Sequence, residues 1–176
     1  MKKIIAFGGS NSSTSINKQL ATYASSLLEN VSVEVLDLNN FEVPIYGVDL
    51  EAASGFPDKA KQFFDKITDS DGVVVSLAEH NGAYTAAFKN LLDWLSRIEV
   101  KVFQDKPMLL MSTSPGPRAG QSVFDMAADR FPRHNANIVA TFNLPSFNDN
   151  LKDGTIVNAE LNKGLIKAVS TFSENL

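Results

Sequence analysis

Two glycines and five hydroxyl side chains occur within the ten residues GGSNSSTSIN, positions 8–17. This segment follows the short apolar run KKIIAF (2–7) and leads into a stretch of helical periodicity, 16–30. A loop of this kind between a strand and a helix offers backbone N–H groups, hydroxyl donors and the positive end of a helix dipole to one anion. The sequence therefore predicts a phosphate-binding loop.

A simpler interpretation of the same loop stays open. In it, Thr14 or Ser15 caps the following helix and the remaining hydroxyls belong to a polar turn. The loop matches neither GxxxxGK[ST] nor GxGxxG, which disfavours a nucleoside triphosphate or an extended dinucleotide clamp. A phosphate monoester bound without a metal ion fits it better.

Composition excludes several other chemistries. The chain has no cysteine, which rules out disulfides, thiolate zinc sites and cysteine-dependent phosphatases. Phe7, Gly8 and Gly9 stand where a phosphoacceptor receiver domain would carry acidic residues. The two histidines, His80 and His134, have no partner at a specific metal-ligand spacing, so no metal site is predicted. His134 is expected at the surface, whereas His80 falls in a second candidate ligand loop.

Length and charge favour a protein that acts on small molecules. The 16 basic and 20 acidic residues give a net charge of −4 without a basic run, so neither nucleic acid nor a membrane surface is an expected partner. No leader peptide is apparent, and no apolar stretch approaches the roughly 20 residues that cross a bilayer. A soluble cytoplasmic protein with one domain over residues 1–176 is expected.

Apolar runs of strand length alternate with stretches of helical periodicity along the chain. Strands are predicted at 2–7, 31–38, 72–77, 107–114 and 137–144, and helices at 16–30, 56–70, 86–98, 120–133 and 158–175. This alternation predicts an α/β fold, a doubly wound parallel sheet with helices on both faces. Ligands of such sheets bind at the carboxyl ends of the strands, so loops 8–15, 78–84 and 113–119 are expected to meet. The irregular stretch 39–55 is long enough to be functional as well.

These loops carry a resemblance to the NADPH-dependent FMN reductase family, which shares the motifs GSxRxxSxN, PEYNGSYPxxLKNxxDW and SxSPGxxGG. The likeness runs from Lys2 to about Ala140, and Pro44 and Tyr46 also match the family's loop after the second strand. The matching motif residues are Gly9, Ser10, Ser15 and Asn17; then Glu79, Asn81, Gly82, Tyr84, Lys89, Asn90, Asp93 and Trp94; then Ser112, Ser114, Pro115, Gly116 and Gly120. Departures from the motifs are Ser12 for an arginine, His80 for a tyrosine, Ala78 and Thr85 for prolines, and Ala119 for a glycine.

The resemblance implies a flavodoxin-like, five-stranded sheet in the order 2-1-3-4-5, FMN as cofactor, NADPH or NADH as co-substrate, and a homodimer or homotetramer. It implies that FMN is bound by Gly9, Ser10, Ser12, Ser15, Ile16, Asn17, Glu79, His80, Asn81, Gly82, Ser114, Pro115, Gly116 and Gly120. No residue is assigned as a catalytic acid, base or nucleophile, because hydride chemistry belongs to the flavin. Lys89, Asn90, Asp93 and Trp94 are interpreted as structural or subunit contacts.

The expected function is therefore an NAD(P)H-dependent, FMN-containing oxidoreductase that passes hydride through FMN to a small acceptor such as a quinone or free flavin. One alternative is a flavodoxin-like electron carrier without nicotinamide turnover. Carriers usually have a heavily acidic surface, whereas this chain is only modestly negative. A flavin-free phosphate-binding module is a third hypothesis, motivated by Ser12 in place of the family's arginine.

Overall fold

The computed structural model describes residues 1–176. It contains nine strands, β1 (Lys2–Gly9), β2 (Val31–Leu36), β3 (Gly72–Leu77), β4 (Glu79–His80), β5 (Ala83–Tyr84), β6 (Pro107–Thr113), β7 (Asn137–Leu144), β8 (Leu151–Lys152) and β9 (Thr155–Ile156). Its seven α-helices are α1 (Ile16–Ser26), α2 (Val48–Ser54), α3 (Asp58–Thr68), α4 (Ala86–Ile98), α5 (Gln121–Arg130), α6 (Phe147–Asn150) and α7 (Ala159–Glu174). None of these helices combines the length and apolarity that a membrane crossing needs.

Five of the strands form a single parallel sheet in the order β2-β1-β3-β6-β7. Counted by sheet strands alone this is 2-1-3-4-5, so the predicted doubly wound, flavodoxin-like fold is confirmed. The chain runs outward from β1 in one direction to β2 and in the other to β3. The loops that follow β1 and β3 therefore lie side by side at the carboxyl edge of the sheet, at the point where ligands bind in this architecture.

Each face of the sheet has its own apolar core, because successive side chains of a strand point to opposite faces. On one face Phe7 of β1 packs edge-to-face against Phe63 of α3, with ring centroids 5.2 Å apart. On the other face Ala6 lies in a cluster with Leu20 of α1 and Phe172 of α7. All five side chains are at most 1% exposed, so the strand ends that carry the loops are held in a well-packed framework.

α1 and α5 end furthest from their predicted bounds, at Ser26 instead of 30 and at Arg130 instead of 133. α1 stops at Ser26, because the N–H groups of Leu27 and Leu28 turn back to the carbonyls of Ala24 and Ser25. α5 stops at Arg130 and continues as the 3₁₀ helix Phe131–His134. Pro132 accounts for this break, since it has no N–H to continue the α-helical pattern.

The expectation that His134 lies at the surface is wrong. Its side chain is 5% exposed, and its Nδ1 is 2.9 Å from the carbonyl oxygen of Val100. The Phe131–His134 turn is also bound to the connection between α4 and β6, because the carbonyl of His134 accepts a hydrogen bond from the N–H of Phe103. His134 is therefore a satisfied core histidine at the edge of the sheet.

Candidate functional site

The three loops predicted to meet do meet, around a cavity of about 280 Å³ at the carboxyl edge of the sheet. The lining residues are Ser10, Ser12, Thr14, Ser15, Ile16, Asn17, Ala78, Glu79, His80, Thr113, Ser114 and Pro115. Nine of the predicted FMN-binding residues are among them; Gly9, Asn81, Gly82, Gly116 and Gly120 are not. The lining contains no lysine or arginine, so an anion bound here would depend on neutral donors.

The hydroxyls of the first loop are arranged as acceptors for the backbone. Ser15 is the N-cap of α1, and its Oγ accepts a hydrogen bond from the N–H of Lys18 at 3.1 Å. Ser10 Oγ accepts from the N–H of Ser12 at 3.1 Å. The cap interpretation is thus correct for Ser15, yet each hydroxyl keeps its own proton, which can still be donated to a ligand. Ser10 and Ser15 are only 9% and 6% exposed, so their orientation is fixed by packing.

Backbone donors in the same loop are free. The N–H groups of Asn11, Ser13, Ile16 and Asn17 have no hydrogen-bond partner within the chain. Two of them belong to the first turn of α1, where the helix cannot satisfy its own donors. Hydroxyls and N–H groups at the start of a helix form the donor set that binds a phosphate.

Asn17 holds the first loop to the sheet. Its side chain is 1% exposed, and its Oδ1 accepts from Ser76 Oγ at 2.6 Å and from the N–H of Thr113 at 3.1 Å. Its Nδ2 donates to the carbonyl of Thr113 at 3.1 Å. This amide therefore fixes α1 against the ends of β3 and β6, and only its backbone N–H is left for a ligand.

The second loop is a tight hairpin formed by β4 and β5. Its turn is the pair Asn81–Gly82, with φ of 53° and 77°, as a two-residue type I′ turn requires. Thr85 ties the hairpin's end to the first loop, because its hydroxyl donates to the carbonyl of Gly9 at 2.9 Å and accepts from the N–H of Phe88. His80 is exposed on the hairpin and lines the cavity.

Local packing explains the glycine at position 9, and backbone conformation explains the glycine at position 120. A Cβ on Gly9 would lie 2.8 Å from Leu77 Cδ2, so a larger residue would require this buried side chain to shift. Gly120 is the N-cap of α5 with φ of 72°, a left-handed conformation that suits glycine. Both residues shape the loops without lining the cavity.

Glu79 makes a contact that sequence reasoning did not anticipate. α5 begins at a glycine and so has no side-chain cap of its own. Glu79 Oε2 accepts the N–H of Val123, in the first turn of α5, at 3.1 Å. The carboxylate therefore caps a helix 44 residues away and fastens the second loop to the third.

The third loop is hydrogen-bonded to the segment that follows β7. The N–H of Phe147 donates to the carbonyl of Ser114, and that of Ser146 to the carbonyl of Gly116, each at 3.0 Å. Pro115 and Pro117 have no N–H, and those of Gly116 and Arg118 have no partner within the chain. The loop thus presents two free N–H groups on a backbone that is fixed through the carbonyls of Ser114 and Gly116.

Asn90 and Trp94 hold the long stretch 39–55 against α4. Asn90 Oδ1 accepts the N–H of Tyr46 at 2.8 Å, and its Nδ2 donates to the carbonyl of Pro44 at 3.0 Å. The fully buried Trp94 donates its Nε1–H to the same carbonyl at 2.8 Å. The structural interpretation of these two residues is confirmed, while Lys89 and Asp93 form an exposed ion pair on the same helix.

A charged cluster fixes the rest of that stretch. The Arg97 guanidinium binds both carboxylate oxygens of Glu51, and Tyr46 Oη donates to one of them at 2.9 Å. The hydrogen bond from Arg97 lowers the pKa of Glu51, and the hydrogen bond to Glu51 raises the pKa of Tyr46. α2 itself buries no residue, and Ile45 just before it is 85% exposed.

Known proteins similar to this chain include FMN reductases and quinone reductases. The model of the family described as NADPH-dependent FMN reductase matches residues 2–149. The chain is 30% identical over 128 residues to an NADPH:quinone oxidoreductase of Arabidopsis thaliana, covering 70% of this chain and 64% of that protein. It is 33% identical over 79 residues to a quinone reductase of Escherichia coli K12, covering 45% of this chain and 42% of that protein. The matched part is thus less than two thirds of either relative's length.

A solved structure shares the fold over nearly the whole chain. The flavoenzyme NAD(P)H:(acceptor) oxidoreductase FerB of Paracoccus denitrificans superposes with a TM-score of 0.79 at 22% identity, covering 99% of this chain and 97% of that one. The structural likeness establishes the fold, and the family match covers most of the sequence. The chain belongs to the NADPH-dependent FMN reductase family.

Proposed function

We propose that this protein is an NAD(P)H-dependent FMN oxidoreductase that passes hydride from NADPH or NADH through FMN to a small acceptor such as a quinone, free flavin or another oxidant. The observation that carries the proposal is the convergence of three family motifs around one cavity at the carboxyl edge of the sheet. Quinone reductases among the relatives support a quinone-like acceptor. The family match also favours an enzyme over a flavodoxin-like electron carrier.

The donor set of the first loop suits the phosphate of FMN. Four free N–H groups and the protons of Ser10, Ser12 and Ser15 surround the start of α1. The family's arginine is Ser12 here, so the phosphate would be held by neutral hydrogen bonds alone. Because neutral hydrogen bonds are weaker than charge-assisted ones, we expect FMN to dissociate more readily than from relatives that keep the arginine.

When bound, FMN supplies the hydride chemistry, and the chain's residues position it. In this proposal Glu79, His80, Asn81 and Gly82 of the second loop would hold the ring. The N–H groups of Gly116 and Arg118, which have no partner within the chain, would donate to carbonyl oxygens of the ring system. Fixed donors of this kind stabilise developing negative charge without reorganisation, which is why no catalytic acid or base is assigned.

We further propose that residues 1–176 form one FMN-binding domain of a cytoplasmic homodimer or homotetramer. Support comes from α2, none of whose residues is buried. Ile45 is 85% exposed and Val48 is 70% exposed, and Ile45 borders an apolar groove with Phe41, Val43 and Leu91. Pairing with a second copy would remove this apolar surface from water.

Comparing FMN with riboflavin tests the cofactor assignment, because riboflavin lacks only the phosphate. Fluorescence titration of the cofactor-free protein should give an affinity for FMN at least about tenfold higher than for riboflavin. Replacing Ser10 and Ser15 together with alanine should remove most of that preference and leave riboflavin binding unchanged. Equal affinities for the two flavins in the wild-type protein would refute the phosphate assignment.

A further inference from the structure

The three loops contain a single lysine or arginine, Arg118. Its side chain is exposed, and no carboxylate lies within ion-pair distance of it. Its one contact is a 3.4 Å hydrogen bond from Nη2 to Ser122 Oγ. A guanidinium has five N–H donors, so most of the hydrogen-bonding capacity of Arg118 is unused within the chain.

The only carboxylate in the three loops does not form an ion pair with Arg118. Glu79, the one acidic residue of the three loops, accepts the N–H of Val123 and forms no ion pair with Arg118. Two other cations, Lys18 and Lys89, are paired, with Asp37 at 2.5 Å and with Asp93 at 2.7 Å. Arg118 is therefore a free positive charge on the loop that borders the site.

Arg118 lies away from the phosphate-binding loop. Among third-loop residues, Thr113, Ser114 and Pro115 line the cavity shared with that loop, and Arg118 does not. Ser122, which Arg118 contacts, lies next to the tip of the second loop, since a Cβ on Gly82 would be 3.9 Å from Ser122 Cβ. The guanidinium thus sits where the second and third loops meet, on the outer rim of the site.

We propose that Arg118 binds a phosphate group of the nicotinamide dinucleotide co-substrate, an inference that rests on the proposed function. A dinucleotide that presents its nicotinamide to the site carries phosphate groups out toward the rim. An overall negative protein gives those groups no general attraction, so a specific cation is needed. Arginine suits this role, because its planar fork makes bidentate hydrogen bonds to phosphate.

Steady-state kinetics of the FMN-loaded protein test the proposal. Arg118→Ala should raise KM for NADPH by about tenfold or more and change kcat by less than about twofold, as expected when a charge-assisted bond made equally in the ground state and the transition state is lost. Arg118 is exposed, so the variant should fold normally. Arg130→Ala, which removes the same charge from the far end of α5, is the matched control and should leave KM unchanged.

Comparing KM for NADPH with KM for NADH shows which phosphate group of the dinucleotide Arg118 binds. A rise in KM for NADPH alone assigns Arg118 to the 2′-phosphate, and an equal rise for NADPH and NADH assigns it to the pyrophosphate. Unchanged KM for both would overturn the proposal. Weaker FMN binding by Arg118→Ala would overturn it too, because the guanidinium would then serve the cofactor.

Calorimetry with adenosine 2′,5′-bisphosphate separates this inference from the proposed function. Binding by the wild-type protein that is at least about tenfold weaker in Arg118→Ala supports a phosphate site, even if NADPH fails to reduce the bound flavin. Failure of reduction by itself would refute the proposed function. The assignment of Arg118 is wrong if the wild-type protein does not bind this probe and Arg118→Ala leaves KM unchanged.

Discussion

Replacing Glu79 with alanine removes one hydrogen bond, from the N–H of Val123, which both caps α5 and fastens the second loop to the third. A lost N-cap costs about 1 kcal/mol, within a range of roughly 0.5 to 2. Loss of a negative charge near a helix N-terminus adds about 0.3 to 1 kcal/mol. We therefore expect the free energy of unfolding of Glu79→Ala to fall by about 1 to 2 kcal/mol, with a lowering of Tm by about 2 to 4 °C for each kcal/mol.

Glu79→Gln separates the two contributions, because glutamine keeps an acceptor oxygen for the N–H of Val123 and loses only the charge. It should lose less than about half as much stability as the alanine variant. Urea unfolding of the cofactor-free proteins measures both values. Glu29→Ala, at an exposed glutamate without a hydrogen bond, is the control and should stay within about 0.5 kcal/mol of wild type.

FMN titration of the same variants shows whether the contact matters for the site. Affinity should fall more in Glu79→Ala than in Glu79→Gln, because only the alanine variant leaves the second and third loops without a tie. An alanine variant that unfolds within about 0.5 kcal/mol of wild type would refute the cap as a stabilising contact. Lower stability with unchanged FMN affinity would show that the contact supports the fold and leaves the site unaffected.

Three further predictions concern Tyr84, Ile45 and His80. The Tyr84 hydroxyl is buried without a hydrogen-bond partner, and burial raises its pKa to about 12. The unfolded state therefore loses this proton near pH 10 while the folded state keeps it, so stability falls as pH rises from about 10 toward 12. Tyr84→Phe should flatten that decline in urea unfolding and be no less stable at pH 7; an unaltered slope would contradict the assignment. Ile45→Asp should turn the expected dimer into a monomer by light scattering, and a wild-type monomer at micromolar concentration would refute the proposed assembly. His80→Ala should lower the steady-state rate by at most one or two orders of magnitude. Double-reciprocal plots for NADPH and a quinone should stay parallel, because the two substrates react with FMN in turn. Loss of all flavin reduction with FMN still bound would show that His80 is essential.

Sequence patterns predicted the sheet because its strands are short runs that are either apolar, as in β3, or alternating, as in β2. β3, whose six residues are all buried, is the clearest case, and its predicted bounds of 72–77 match the structure. The helix after the second loop was also predicted with its observed bounds, since Phe88, Leu91, Leu92 and Leu95 repeat with helical spacing on one buried face.

Two hairpins were missed although their turns carry a recognisable signal. Asn81–Gly82 and Asp153–Gly154 are the residue pairs favoured in two-residue turns, and both have positive φ in the structure. Their strands, β4 with β5 and β8 with β9, are only two residues long. Such strands are too short to show the alternation from which a strand is predicted.

Contacts between distant loops could not be predicted from the sequence. Glu79 and Val123 are 44 residues apart, and neither residue type suggests the other as a partner. The same holds for the N–H groups of Ser146 and Phe147, which fix the third loop through backbone atoms alone. These contacts depend on the relative positions of the loops in the folded protein, and residue type and spacing do not specify those positions.

The visible absorption spectrum of the protein with FMN, recorded without oxygen before and after addition of NADPH or NADH, tests the central claim most directly. The account predicts that FMN binds and that its absorption near the flavin maximum is bleached by the nicotinamide, then restored by a quinone. Bound FMN that neither nucleotide bleaches would contradict the enzyme and indicate an electron carrier. Absence of FMN binding would contradict the assignment of the cavity itself.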